Sequence, residues 1–209
     1  MPPSRSRSRP LLPPFPGARL LPAAALLVAA CLLAALPSAA PADEGGLKLK
    51  AGDPAPDFTL KDLGTGREMR LSEHLGNGPV VLEFWAPWCD ICKGHLGNLA
   101  RLQEAWRGKG VTVLSVVVNF KTVDEVRAIA CAKGVNYPVL LDPDLVVAGR
   151  YGLAGFLPLM VLVDGKGVIR FAHFGEFDPG SGPRPHLEAL TVEVPAPVPF
   201  SYGGAYCGG

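Results

Sequence analysis

Several features that would indicate other kinds of protein are missing from the sequence. Residues 1–42 carry four of the 20 Lys and Arg and none of the 19 Asp and Glu, so the remainder has a net charge of −3 and no basic stripe. We therefore expect no nucleic-acid partner. The CxxC motif occurs once, whereas a closed zinc site takes about four ligands and usually two such motifs. We predict no bound metal and no cofactor, and no internal repeat is visible.

The N-terminal segment has the pattern of an export signal. Four arginines precede an apolar run over 20–36, which ends in small residues. An A-x-A sequence at 40–42 fits a cleavage site, so we expect a mature chain that starts at Asp43 in the periplasm or another extracytoplasmic space. Two alternatives stay open: a membrane tether through residues 20–36, or a lipid on Cys31. The segment contains no adjacent arginine pair, the feature that would indicate export by the twin-arginine route.

Composition divides the rest of the chain into three parts. We predict a flexible linker over 43–50, a folded domain over 51–176 and a Pro- and Gly-rich tail over 177–209. Inside the domain, hydrophobic periodicity predicts a hairpin over 56–71, strands over 79–85 and 111–120, helices over 89–108 and 123–134, and a late hairpin over 158–175. This order is typical of an α/β fold in which helices cover a sheet.

Cys89 and Cys92 form the CxxC motif, directly after the strand that ends at Trp85. A helix that begins near Cys89 places its sulfur at the helix N-terminus. There the free N–H groups and the helix dipole stabilise a thiolate. This placement favours a redox pair over a metal clip or ordinary core thiols.

The segment VVLEFWAPWCDICK resembles the active-site segment of thioredoxin-fold oxidoreductases. GDPAPDFTL before it, and LQEAWRGKGVTVLSVVV, YPVLLDPD and LPLMVLVDGKG after it, extend the resemblance over about residues 51–176. Together they are similar to the exported TlpA/ResA-like (redoxin) branch. The resemblance implies a thioredoxin-like α/β fold, with a central mixed β-sheet flanked by helices and an N-terminal β-hairpin extension.

The resemblance also implies three catalytic residues. Cys89 attacks a target disulfide as a thiolate, and Cys92 then attacks Cys89 and releases the product. Glu83 stands where thioredoxins carry a buried acid that moves protons to the inner cysteine. A carboxyl in that apolar strand is expected to have a raised pKa. The alternative is an acid at a strand edge that points to water.

Three further positions are predicted to bind substrate. Pro158 matches the proline that is cis in this fold and faces the CxxC motif, Leu157 precedes it, and Trp88 lies beside the sulfurs. Asp90 departs from the family pattern: its charge is expected to disfavour the Cys89 thiolate and make the couple more reducing, whereas the helix dipole acts in the opposite direction. His95 is predicted to be a solvated surface histidine.

The leading prediction is an exported thiol-disulfide oxidoreductase that reduces protein disulfides. The resemblance implies electrons from a membrane thiol carrier of the DsbD/CcdA kind and a role in cytochrome c maturation. The alternatives are a disulfide-donating oxidant, a thiol peroxidase, suggested by APDFTL, and a copper-binding metallochaperone that uses His95 or His173. Copper-binding relatives of this fold carry CxxxC instead.

Two more cysteines, Cys131 and Cys207, remain after signal removal. An even count in an exported chain allows a second, structural bridge between them. The alternative is one buried thiol and one loose thiol in the tail. Sequence does not supply the Cα distance that decides between the two.

Overall fold

Strands and helices follow one another in the predicted order. The computed structural model describes residues 49–153, 155–177, 182–191, 202 and 205–208. The strands in these ranges are β1 (Thr59–Asp62), β2 (Glu68–Arg70), β3 (Val80–Trp85), β4 (Thr112–Val118), β5 (Val139–Asp142), β6 (Leu159–Val163) and β7 (Ile169–Phe174). The helices are α1 (Asp90–Trp106), α2 (Val123–Ala132), α3 (Val146–Arg150) and α4 (Arg184–Leu190), with 3₁₀ turns at Leu71–Glu73 and Arg107–Lys109.

The described strands form one mixed sheet in the order β2-β1-β5-β4-β3-β6-β7. β3 and β5 run parallel to β4, and the other neighbouring pairs are antiparallel. All of β3 and nearly all of β4 is buried, which explains why both are almost continuous apolar runs. The hairpin of β1 and β2 joins the sheet through β5. The predicted mixed sheet with an N-terminal hairpin extension is confirmed.

Helices cover both faces of this sheet. On one face, Leu96 and Leu99 of α1 pack in a cluster with Val126 of α2 and Leu187 of α4. On the other face, Val147 of α3 packs in a separate cluster. Because α1 begins directly after β3, its N-terminus lies at the carboxyl end of the parallel strands, the edge where open α/β sheets usually carry their sites.

The described part of the C-terminal region packs against the domain. Cys207 forms a disulfide with Cys131 of α2, with a Cα distance of 5.0 Å, so the structure contains the bridge rather than two free thiols. Tyr206 is buried, and its hydroxyl donates to the carbonyl of Tyr137 at 2.8 Å and accepts from the N–H of Val139 at 3.0 Å. These contacts fix residues 205–208 beside β5.

Candidate active site

The CxxC motif lies where β3 gives way to α1. Cys89 has extended backbone angles and is the N-cap residue of the helix, and the N–H of Cys92 donates to its Sγ at 3.2 Å. The two cysteines form a disulfide with a Cα distance of 5.3 Å. One helical turn therefore brings both sulfurs together at the start of α1.

The two cysteines differ in exposure. Cys89 is 8% exposed and Cys92 is fully buried. Trp88 and Ile91, in contrast, are 59% and 50% exposed. A partner that approaches this end of the helix reaches Cys89 before Cys92 and meets an apolar surface around it.

Asp90 begins α1 and points to solvent. The Nζ of Lys93 donates to its Oδ1 at 2.6 Å, and this hydrogen bond, together with the lysine charge, lowers the pKa of the Asp90 carboxyl. The first turn thus carries a paired negative and positive charge next to Cys89. Since the pair is exposed, solvent and salt weaken its effect on the sulfur.

Glu83 lies in the middle of the sheet. On β3 it is paired with Ser115 of β4 on one side and Met160 of β6 on the other, and its side chain is completely buried. Burial raises the pKa of the Glu83 carboxyl, and the neighbouring His95 opposes this effect. The structure therefore places Glu83 in the interior and not at a solvated edge.

The prediction that His95 is a solvated surface histidine is wrong. It is 3% exposed, and its Nδ1 lies 3.3 Å from Oε1 of Glu83, although the contact lacks the alignment of a hydrogen bond. His95 follows Cys92 by three residues on α1 and so shares its sheet-facing side. That spacing was the signal in the sequence. His173 is half-buried on β7, with Nε2 3.1 Å from the carbonyl oxygen of Glu176.

The predicted substrate-binding residues differ in exposure. Pro158 is buried and follows a cis peptide bond, and Leu157 is half-buried and packs against the cluster that contains both cysteines. Trp88 is the exposed member of the three. Phe156 directly precedes Leu157 and is 70% exposed, a feature that the sequence reasoning missed.

Some of the sequence predictions concern residues that the structure does not describe. Residues 1–42, which include the apolar run over 20–36 and Cys31, lie beyond the described residues. Within the described ranges, no helix combines the length and apolar character needed to cross a membrane. In the same ranges, no three His, Cys, Asp or Glu side chains are grouped so as to hold a metal ion.

Fold and site together define a thioredoxin-like protein with a CxxC disulfide at the start of its first helix. A family model described as the AhpC/TSA family matches residues 51–172, more than half of the chain, and the chain belongs to that family. The sequence resemblance to redoxins is thereby confirmed.

Named relatives agree with this assignment. The chain is 34% identical over 119 residues to the thiol-disulfide oxidoreductase ResA of Geobacillus kaustophilus, covering 57% of this chain and just under two thirds (66%) of that protein. It is 34% identical over 131 residues to the thioredoxin-like protein YneN of Bacillus subtilis, covering 61% and 73%. The crystal structure of a putative thiol:disulfide interchange protein DsbE from Chlorobium tepidum matches with a TM-score of 0.61 and 24% identity, over 70% of this chain and 100% of that one, and shows the fold alone.

Proposed function

We propose that this chain is an exported thiol-disulfide oxidoreductase that reduces disulfides in other proteins. One observation carries the proposal: the Cys89–Cys92 disulfide sits at a helix N-terminus, where Cys89 is 8% exposed and Cys92 is fully buried. This difference in exposure suits Cys89 as the nucleophile that attacks the partner and Cys92 as the thiol that resolves the mixed disulfide. The relatives named thiol-disulfide oxidoreductases support the same activity class.

In the proposed reaction the reduced protein supplies two electrons. The Cys89 thiolate attacks one sulfur of the target disulfide, forms a mixed disulfide and expels the other sulfur as a thiolate. Cys92 then loses its proton and attacks Sγ of Cys89, which forms the Cys89–Cys92 disulfide and releases the target as a dithiol. Two thiols on this chain are oxidised and one target disulfide is reduced.

Glu83 is proposed to take the proton that Cys92 gives up. Its burial beside the first turns of α1 and its raised pKa support this role, because an acid tuned toward neutrality exchanges protons more effectively than an ordinary carboxylate. Trp88, Leu157 and Pro158 are proposed to hold the target chain, with Trp88 as the exposed apolar contact.

The experiment that tests the function is trapping with a Cys92→Ser variant. The reduced variant is expected to accumulate mixed disulfides through Cys89 with a disulfide-bonded peptide, since resolution is blocked. A Cys89→Ser variant is the matched control and is expected to trap nothing. No trapped species with Cys92→Ser would contradict the proposal. Faster consumption of hydrogen peroxide than of the peptide disulfide would favour a thiol peroxidase instead.

The reduction potential of the Cys89–Cys92 couple, measured in glutathione buffers, decides whether the protein reduces or oxidises its targets. A value near that of thioredoxin, about −270 mV, supports a reductase, and a value near about −120 mV supports a disulfide-donating oxidant.

The proposed cellular setting follows from the N-terminal sequence and the resemblance. Export through residues 1–42 would leave the protein dependent on an electron donor, for which a membrane thiol carrier of the DsbD/CcdA kind is proposed, with apocytochrome c among the targets. N-terminal sequencing of the exported protein is expected to start at Asp43. If residues 20–36 are still present, the protein is tethered to the membrane through them. If Cys31 carries an acyl group, the protein is a lipoprotein.

A further inference from the structure

Glu83 and His95 form an enclosed acid and base pair beneath the CxxC turn. They come from different elements, β3 and α1, and their side chains approach to 3.3 Å between Oε1 and Nδ1. Among the described residues, neither carboxyl oxygen of Glu83 and neither ring nitrogen of His95 has an aligned hydrogen bond. Burying two such groups lowers the free energy of unfolding, and a protein with apolar residues of similar volume in their place would often be more stable. Stability alone therefore does not explain the pair.

His95 also forms part of the wall of a surface cleft, although both of its ring nitrogens are enclosed. Its ring meets the ring of Phe177 edge-on, with centroids 4.3 Å apart, and it lines a cleft together with Ile91, Asn98 and Glu176. The imidazole thus lies between the enclosed Glu83 carboxyl and an open cleft. Glu83 itself has no exposed surface through which to exchange a proton with water.

We propose that His95 is a positioning residue that holds the Glu83 carboxyl in place and favours its charged form, so that Glu83 can accept the proton of Cys92. The inference rests on the proposed function. When Cys92 attacks Cys89, the proton of the Cys92 thiol passes to Glu83. The proton stays on Glu83 during this step, and the expelled thiolate takes up a proton from solvent. No electron or proton is left unaccounted for.

Other groups around the pair do not replace His95. Ser115 of β4 is neutral, and Tyr137, before β5, donates its hydroxyl to the carbonyl of Leu96 at 3.0 Å. Burial, reinforced by the charge of Glu83, holds the pKa of Tyr137 well above its usual value, so it keeps its proton. Glu176 and Asp90 are exposed and line the cleft on the far side of His95. Among the described residues, His95 is thus the ionisable side chain that contacts the carboxyl directly.

The test isolates the step in which Cys92 attacks Cys89. The reduced full chain is mixed with dithiobis-nitrobenzoate, which loads thionitrobenzoate onto Cys89, and release of that group by Cys92 is followed by absorbance as pH is varied. His95→Gln is expected to move the midpoint of this pH–rate profile upward, because the carboxyl loses the neighbour that favours its charged form. The rate at neutral pH falls by about tenfold for each pKa unit, and the plateau at high pH is unchanged.

Control variants separate proton transfer from packing. His74→Gln, at a partly buried histidine outside this cluster, is expected to leave the profile unchanged. His95→Phe retains an aromatic ring beside Phe177 and is expected to shift the profile as His95→Gln does. In a Glu83→Gln background, His95→Gln is expected to have no further effect on the midpoint.

Three results would overturn the proposal: a His95→Gln profile that overlays the wild type, an equal slowing at every pH, or the full His95 effect in the Glu83→Gln background. If His95→Gln does not fold, His95→Phe is measured in its place and the same three results apply. A midpoint that survives Glu83→Gln also overturns the proposal. The assay needs no protein substrate. Failure of Cys92→Ser to trap targets would therefore count against the proposed function and leave this measurement interpretable.

Discussion

The backbone N–H of Cys92 donates a hydrogen bond to the Sγ of Cys89 at 3.2 Å. The outer sulfur thus occupies the N-cap position of α1, where a side chain normally satisfies one of the free N–H groups of the first turn. After reduction, the same N–H and the helix dipole favour a negative charge on Cys89. The fold therefore sets Cys89 apart as the nucleophile before any partner arrives.

Selective alkylation should reveal this difference. In the reduced protein, iodoacetamide is expected to label Cys89 more than about tenfold faster than Cys92, because reactivity follows both thiolate character and access. Mass spectrometry of the labelled peptides measures both rates in one sample. A Cys89→Ser variant is expected to remain poorly labelled at the buried Cys92. Equal labelling of the two cysteines would contradict the assignment of roles.

Asp90 is expected to make the couple more reducing. Asp90→Asn removes a negative charge beside Cys89, so the thiolate is favoured and the reduction potential becomes less negative. We expect a change of less than about 30 mV, a tenfold change in the redox equilibrium constant, since the carboxylate is exposed and paired with Lys93. Lys93→Gln is expected to act in the opposite direction, and added salt should reduce both effects. A more negative potential for Asp90→Asn would contradict this electrostatic account.

The buried Glu83 should make stability depend on pH. Because its pKa is raised in the folded protein, the folded state keeps a proton that the unfolded state has already lost, and the free energy of unfolding decreases as pH rises between the two pKa values. Glu83→Gln is therefore expected to be more stable than the wild type above that window, by about 1.4 kcal/mol for each pKa unit. The difference should shrink in acid. Urea unfolding at several pH values measures it.

Glu104 offers a matched control for this prediction. It lies on α1 and its side chain is 71% exposed. Glu104→Gln is expected to leave the pH dependence of stability unchanged. If Glu83→Gln lost stability equally at acid and neutral pH, packing rather than ionisation would explain the effect.

Much of the fold could be predicted because its signals are local. The apolar runs of β3 and β4 are too short for helices and end in turns, so their assignment as buried strands is confirmed. The interior position of Glu83 follows from its place in such a run. The helical spacing that identifies α1 also places His95 on the same side as Cys92, whereas the general preference of histidine for the surface predicts the opposite.

Contacts between distant parts of the chain could not be predicted in the same way. No local pattern brings Cys207 to Cys131 or places the Tyr206 hydroxyl between two backbone groups of residues 137–139. Both relationships depend on where residues 205–208 lie against α2 and β5. The proximity of His95 to Phe177 is likewise a contact between residues far apart in the sequence. Composition predicted a Pro- and Gly-rich tail here, and the even cysteine count allowed the bridge, but nothing in the sequence indicated the contacts of Tyr206 and Phe177.

The Cys131–Cys207 disulfide is expected to contribute strongly to stability. It joins cysteines separated by 76 residues, so by chain entropy its loss should lower the free energy of unfolding by about 4 to 5 kcal/mol. Cys207→Ser, with the Cys89–Cys92 disulfide kept oxidised, tests this by urea unfolding. Cys131→Ser and the double variant are expected to show the same loss, because each removes the one bridge. Additive losses, or a Cys207→Ser variant as stable as the wild type, would mean that the bridge does not restrain the unfolded chain.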